Sequence, residues 1–379
     1  MTDRVGLTNL GNTCFLNVVL QALRYTPTIC DIFLSNPGLD ITPREDSKKK
    51  ELLKAFHMLI QDFWSVQAPP GASPSLVPHG FLHSFHNVLR DNEEYWYRPR
   101  QQCDAAEALQ YILDSLHDSM YRRVRMEVAG AASTPEEISQ LKAIQSWAEF
   151  FGKEYSPIVS QFNGQNQIRV ICTNCENVSE RYEPWLMLKA PIPGGDKPGT
   201  LAPTLKTCLD AAHEEETIDD YMCDKCKGRH KAKLQNKISK LPGVLTMSLK
   251  RFTNLGHKVR GPIKWDVDDV DFAPWMAFER DPFTDSHEAE THYETYAIIE
   301  HHGNIHGGHY RMYARESASV WLEYDDSSVR VVPPEQVVTQ DSYIALMLPK
   351  RTSVEHRSHI HSLANGIRTY RNSQIVKEA

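Results

Sequence analysis

Two Cys-x-x-Cys pairs constrain this chain most, Cys172-Thr173-Asn174-Cys175 and Cys223-Asp224-Lys225-Cys226. Residues 176–222 separate them, so one ion held by all four thiolates would bring two distant hairpin tips to one point. Four sulfur ligands suit a closed tetrahedral Zn²⁺ site, which leaves no position for a substrate. A single zinc here would be structural. The other reading is two reduced pairs without metal. A redox role fits poorly, because neither pair lies in a strand–helix–strand context. The N-terminus shows no apolar signal segment, and no apolar run approaches the about 18 residues of a membrane helix. The expectation is therefore an intracellular protein, in the cytoplasm and/or nucleus, with reduced cysteines.

The texture of the chain changes near residue 150. Before it, apolar residues recur at helical spacing over residues 14–25, 51–64 and 105–119. Thr13 stands where it could cap the first of these. Thr134, Pro135 and Glu137 form the signature of a capping box at the start of a fourth helix. After it, strands are expected over 158–162, 168–171, 178–188, 244–249, 293–301, 309–315, 320–324 and 343–348, with a hairpin turn at Asn163-Gly164. Residues 190–203 are rich in Pro and Gly and read as a loop. Helices first and strands later predict an α+β fold. Residues 350–379 are basic and poor in aliphatics, and are expected to form a flexible tail. The formal charge of −7, from 42 basic and 49 acidic side chains, speaks against a nucleic-acid binder and is compatible with a basic partner.

Three stretches carry chemistry. The first is Gly6-Leu7-Thr8-Asn9-Leu10-Gly11-Asn12-Thr13-Cys14-Phe15-Leu16-Asn17. A cysteine that opens a helix sits at the positive end of the dipole, which favours a thiolate, and turn glycines let backbone N–H groups face a reacting carbonyl. The same residue also reads as a buried cysteine of an amphipathic helix. The second stretch runs from Gly303 to Tyr310, a glycine-rich loop leading to His309. An imidazole there could serve a thiol, whereas the neighbouring His301, His302 and His306 also suggest a metal cluster or a plain turn. The third, Trp321 to Val329, places Asp325 and Asp326 after a strand, where a carboxylate could orient a histidine or simply form a turn. Asp104 and Glu107 read by spacing as a helix cap with its partner, or as an acidic pair facing a basic ligand.

Taken together and in order, these segments resemble the ubiquitin-specific proteases. The resemblance spans about residues 4–349. Residues 6–17 are similar to the family's cysteine box, and 307–313 with 321–329 to its histidine box. Residues 241–245 and 249–252 resemble its strand into the palm. Leu205, Cys208, Leu209, Ile218 and Tyr221 resemble its approach to the second zinc pair. The resemblance implies a papain-like cysteine protease fold over 1–349. The thumb would cover about 1–150, zinc-tied fingers about 155–240 and the palm about 241–349. It implies a thiol-dependent deubiquitinase that hydrolyses the isopeptide bond after ubiquitin's Gly-Gly through an acyl-enzyme thioester. Cys14 would be the nucleophile and His309 the base and acid. Asp325 would be the third member, with Asp326 sharing its role, and Asn9 an oxyanion donor. Asp104 and Glu107 would receive the basic ubiquitin tail. Cys172, Cys175, Cys223 and Cys226 would hold one structural Zn²⁺. Residues 253–264 and 303–308 would be loops bordering the cleft.

The sequence departs from the family pattern in places. Cys103 stands where Gln usually precedes the acidic motif, Ala108 replaces a bulky residue, Phe15 replaces Tyr and Val18 replaces Ser. The segments near 134–150 and 274–290 read as insertions. The implied partners are ubiquitin and ubiquitinated proteins, with room for an activating protein and no role for nucleic acid or membrane. The alternatives are a non-catalytic or partner-activated ubiquitin-binding module, and a protease for another ubiquitin-like modifier.

Overall fold

The computed structural model describes residues 4–35, 43–66, 74–92, 97, 100–128, 131–194, 202–253, 256–284, 289–304, 307–351 and 358–369. In chain order its helices are α1 (Cys14–Arg24), α2 (Pro27–Leu34), α3 (Lys50–Ser65), α4 (His79–Asp91), α5 (Ala105–Met120), α6 (Pro135–Phe151), α7 (Pro157–Phe162) and α8 (Leu205–Ala212). The strands are β1 (Gly6–Leu7), β2 (Ser75–Leu76), β3 (Gly164–Cys172), β4 (Val178–Trp185), β5 (Leu188–Pro191), β6 (Glu216–Met222), β7 (Arg229–Lys240), β8 (Leu245–Lys250), β9 (Val270–Asp271), β10 (His292–Asn304), β11 (Gly307–Ser317), β12 (Val320–Asp325), β13 (Ser328–Val332) and β14 (Ser342–Pro349). Among these described residues, no helix is long and apolar enough to cross a membrane.

The α1 helix is the axis of the molecule. Every one of its residues is buried, because α5 covers one side and β10, β11 and β12 the other. Around it, α3 turns Leu52, Phe56, Leu59, Ile60 and Phe63 inward at helical spacing, and α5 does the same with Leu109, Ile112, Leu113 and Leu116. Arg24 ends α1 inside this core. Its guanidinium lies 4.6 Å from the Trp64 ring centroid and 5.0 Å from that of Phe63, so aromatic faces take the place of its hydration.

A parallel β1–β2 pair and two larger sheets complete the fold. The larger follows the order β13-β12-β11-β10-β14-β8-β5, with β9 on the edge of β10. Its β14 and β8 are almost wholly buried; β14 is mostly apolar, while β8 also buries Thr246 and Ser248. The smaller sheet, β4-β3-β7-β6, is open to water on much of both faces, and β6 has no buried residue. Such a sheet buries too little to hold its own tips together. One buttress is on its flank. Ser139 of α6 hydrogen-bonds the Tyr182 hydroxyl at 2.8 Å, Ala143 packs with Tyr182 and Phe278, and Phe283 sits 5.6 Å from Trp147. The segments read as insertions, 134–150 and 274–290, thus meet on β4; residues 285–288 lie outside the described residues.

Several expectations are corrected. Residues 158–162 form α7 instead of a strand: Ser156 caps Val159 N–H at 3.3 Å and Pro157 takes the first turn, which fixes a helix on a short apolar run. Asn163-Gly164 is not a hairpin turn but the junction from α7 into β3. A Cβ on Gly164 would fall 2.2 Å from the Trp185 ring. Thr13 occupies the cap position of α1 without capping it; its hydroxyl takes the Leu10 N–H at 2.9 Å instead. The tail expected to be flexible is helical over 358–369. Ile360, Ala364 and Ile367 are buried in the main core, and Arg368 Nε donates to the Trp64 carbonyl at 3.0 Å. Its apolar residues are few, but they recur at i, i+4 and i+7.

Candidate active site

The site is built where β1, the start of α1, the start of α5 and the β11–β12 strands meet. Gly11 and Asn12 both take positive φ, 100° and 56°, and this turn delivers Cys14 to the first position of α1. Because Thr13 is turned away, no described side chain caps the Cys14 and Phe15 N–H groups, and they stay available at the positive end of the helix. Cys14 is 1% exposed. His309 stands on β11 with Cys14 on one side, near enough to raise its pKa. On the other, its Nε2 meets Asp325 Oδ1 at 2.6 Å. Cys14 and, after it, Asp325 push the imidazole up to about 9 against the effect of partial burial.

Asp325 is itself held. Arg311 Nε lies 3.0 Å from its second oxygen. The turn that carries it is pressed against β1: Leu7 N–H donates to Asp326 O at 2.8 Å, and a Cβ on Gly6 would fall 2.4 Å from Ser327 O. Only glycine permits this approach. Asp326 does not share the contact with His309. It takes Asn9 Nδ2 at 2.9 Å and Asn17 Nδ2 at 2.7 Å. Asn9 is oriented further by Gly11 N–H at 2.9 Å and Thr13 N–H at 3.2 Å, both donating to its Oδ1.

Asp104 caps α5 through Ala106 N–H at 2.7 Å, while its other oxygen takes the Tyr343 hydroxyl at 2.7 Å. Glu107 is exposed, one turn along. Burial and then the Asp104 charge hold its carboxyl above the usual range, with Lys189 opposing. Of the two readings of this pair, the geometry shows the cap, with the Glu107 carboxylate at the surface beside it. Sequence reasoning missed Gln102. Its side-chain amide bonds both the N–H and the carbonyl of Gly308, the residue before His309. A Cβ on Gly308 would strike His302 O, so the glycines serve close packing here as much as motion. Ile305 and His306, part of that loop, and Asn254 and Leu255 of the other, lie outside the described residues.

The four cysteines of the two pairs converge at the tips of the small sheet, with all Sγ atoms within 4.8 Å of one another. Cys172–Cys226 and Cys175–Cys223 are 3.9 and 3.6 Å apart. A tetrahedron with metal–sulfur bonds of about 2.3 Å has edges of about 3.8 Å, so the set fits one ion. The two turns share one design. The residue after the second cysteine, Glu176 or Lys227, has positive φ and donates its N–H to the carbonyl of the first at 2.9 Å. The N–H groups of Cys226 and Lys225 pull Cys223 down, while Cys175, which faces it, is raised.

A thiol beside an imidazole that is bonded to a carboxylate, next to uncapped helix N–H groups, defines a cysteine-hydrolase type of site. The profile of the family described as UCH, ubiquitin carboxyl-terminal hydrolase, matches residues 5–347, and the chain belongs to that family. It is 29% identical over 354 residues to ubiquitin carboxyl-terminal hydrolase 2 of Homo sapiens, covering 89% of this chain and 54% of the relative. Ubiquitin carboxyl-terminal hydrolase 21 of Rattus norvegicus is 29% identical over 361 residues, with 90% and 61% covered. The chain thus spans about half the length of the curated relatives it matches first. Among solved structures, a chain of the SAGA Ubp8/Sgf11/Sus1/Sgf73 DUB module bound to ubiquitin aldehyde matches with a TM-score of 0.67. It is 22% identical, and 92% of this chain and 70% of that chain are covered. This likeness shows the α+β fold expected from the sequence.

Proposed function

We propose that this chain is a thiol-dependent deubiquitinase that cleaves the isopeptide bond after the C-terminal Gly-Gly of ubiquitin. The observation that carries the reading is His309 bonded to Asp325 at 2.6 Å and placed beside Cys14, which raises its pKa. Family membership and the ubiquitin-bound relative supply the substrate class. In the first step Cys14 Sγ gives its proton to His309 and bonds to the glycine carbonyl carbon. The carbonyl oxygen becomes an oxyanion facing the N–H groups at the start of α1, with the Asn9 amide as a further donor. Preorganised donors of this kind commonly contribute more to such catalysis than any other single effect. The oxyanion collapses, the C–N bond breaks, and His309 passes its proton to the leaving lysine Nζ. Water then attacks the thioester as His309 takes its proton, the C–S bond breaks, and the proton returns to Cys14.

The helical part would act as thumb, the small sheet as fingers and the large sheet as palm, and the Asp104–Glu107 pair would receive the basic ubiquitin tail. Cys172, Cys175, Cys223 and Cys226 would hold one structural zinc, which supplies a cross-link between two hairpin tips and no chemistry at the cleft. Its support is the fit of the sulfur separations. Incubation with lysine-linked di-ubiquitin tests the function: the protein should release monoubiquitin, and Cys14→Ala should lower kcat by about 10³-fold or more. Intact di-ubiquitin with the wild-type protein would overturn the reading.

A further inference from the structure

Lys258 lies between β8 and β9, and its side chain is 2% exposed. It donates to Asp341 Oδ1 at 2.6 Å and to the carbonyl of His301. The second oxygen of Asp341 faces His302 Nδ1 at 3.1 Å, and His302 Nε2 faces Glu300 Oε1 at 2.6 Å. Glu300 is closed off from water and takes Thr339 Oγ1 at 2.7 Å and the Tyr313 hydroxyl at 3.1 Å. The chemistry described above uses none of these groups.

Strand register connects them to the cleft. His302 stands directly opposite His309 across β10 and β11, and Glu300 stands opposite Arg311, which holds Asp325. Opposed residues of an antiparallel pair share a face, so His302 and Glu300 stand beside His309 and Arg311. The segment bearing Lys258 grips the same hairpin a second time through Arg260, which donates to Gly303 O at 3.1 Å. A buried ion pair is a poor source of stability, because desolvation offsets the attraction. What it supplies here is direction: an apolar pair could fill the space, but could not bond the His301 carbonyl or orient His302.

We propose that Lys258 is a positioning residue for His309. Through Asp341, His302 and Glu300 it holds the β10–β11 hairpin at the register where the imidazole reaches Cys14 and Asp325. The inference rests on His309 being the general base.

The test separates positioning from bulk stability. Lys258→Met/Asp341→Leu removes both buried charges and should keep a melting temperature near that of the wild type. Its kcat on a ubiquitin C-terminal amide should fall about 10–100-fold, by much more than KM changes, because a small displacement of a catalytic group is costly. The His309 ring ¹⁵N shifts should move with it. Should that variant fail to fold, His302→Ala breaks the link at a half-exposed position and should give the same loss of kcat. Unchanged kcat and ring shifts in either folded variant, beside an active wild type, would overturn the positioning role alone. An inactive wild type would overturn the reading of His309 and this inference with it.

Discussion

His309 lies between a thiol and a carboxylate: Cys14 raises it on one side, and Asp325 Oδ1 bonds its Nε2 on the other. Its pKa is raised from the usual 6.5 to about 9 in the folded protein. A raised group of this kind contributes stability that is complete below about pH 6.5 and lost as pH rises through about 9. The same deprotonation removes the acid that serves the leaving amine. A pH–rate profile on a ubiquitin amide should therefore show kcat/KM falling above about pH 9, and Asp325→Asn should shift that limb to lower pH. Glu107→Gln tests the acidic site more cleanly than a change at Asp104, which also caps α5. It should raise KM for ubiquitin substrates several-fold and leave kcat nearly unchanged, as expected for loss of uniform binding. At Gly6 the added methyl of Gly6→Ala must displace the Ser327 backbone. A loss of about 1–3 kcal/mol in urea unfolding is expected, with reduced activity because the Asp325 turn moves.

Among the elements, the small sheet depends most on its tips. Its outer strands β4 and β6 are largely exposed, and the cysteine cluster lies where β3, β4, β6 and β7 turn. If the four cysteines hold the proposed zinc, a chelator should raise amide hydrogen exchange in residues 172–178 and 222–229 and weaken the proposed ubiquitin binding. Exchange in α1 should stay unchanged. Equal exchange with and without chelator would mean that the sheet holds itself. What the sequence revealed follows from the same physics. The α1, α3, α5 and α6 helices were legible because each pairs an apolar stripe with a start signal or sustains it over many turns. The α4 helix was not, since His79, Gly80, His83 and His86 dilute its stripe, and β6 was not, since neither of its faces is buried. The Cys14, His309 and Asp325 stretches were legible as contiguous motifs. Gln102 was not, because its role is to bond the main chain of a residue far along the sequence.

Over the whole molecule, the last described segment closes on the first helices. Ile360, Ala364 and Ile367 are buried in the main core, and His359 pairs with Asp31 at 2.5 Å. Truncation after Lys350 should cost about 2–5 kcal/mol, the burial value of two isoleucines and an alanine, and should lower the thermal midpoint. The central claim is that one chain brings Cys14, His309 and Asp325 together to act on ubiquitin's carboxyl end. The most direct measurement is reaction with a ubiquitin bearing a C-terminal electrophile, followed by mapping of the modified residue. The account predicts a single adduct on Cys14, absent from Cys14→Ala. No adduct, or one that persists in Cys14→Ala on another thiol such as Cys103, would contradict it.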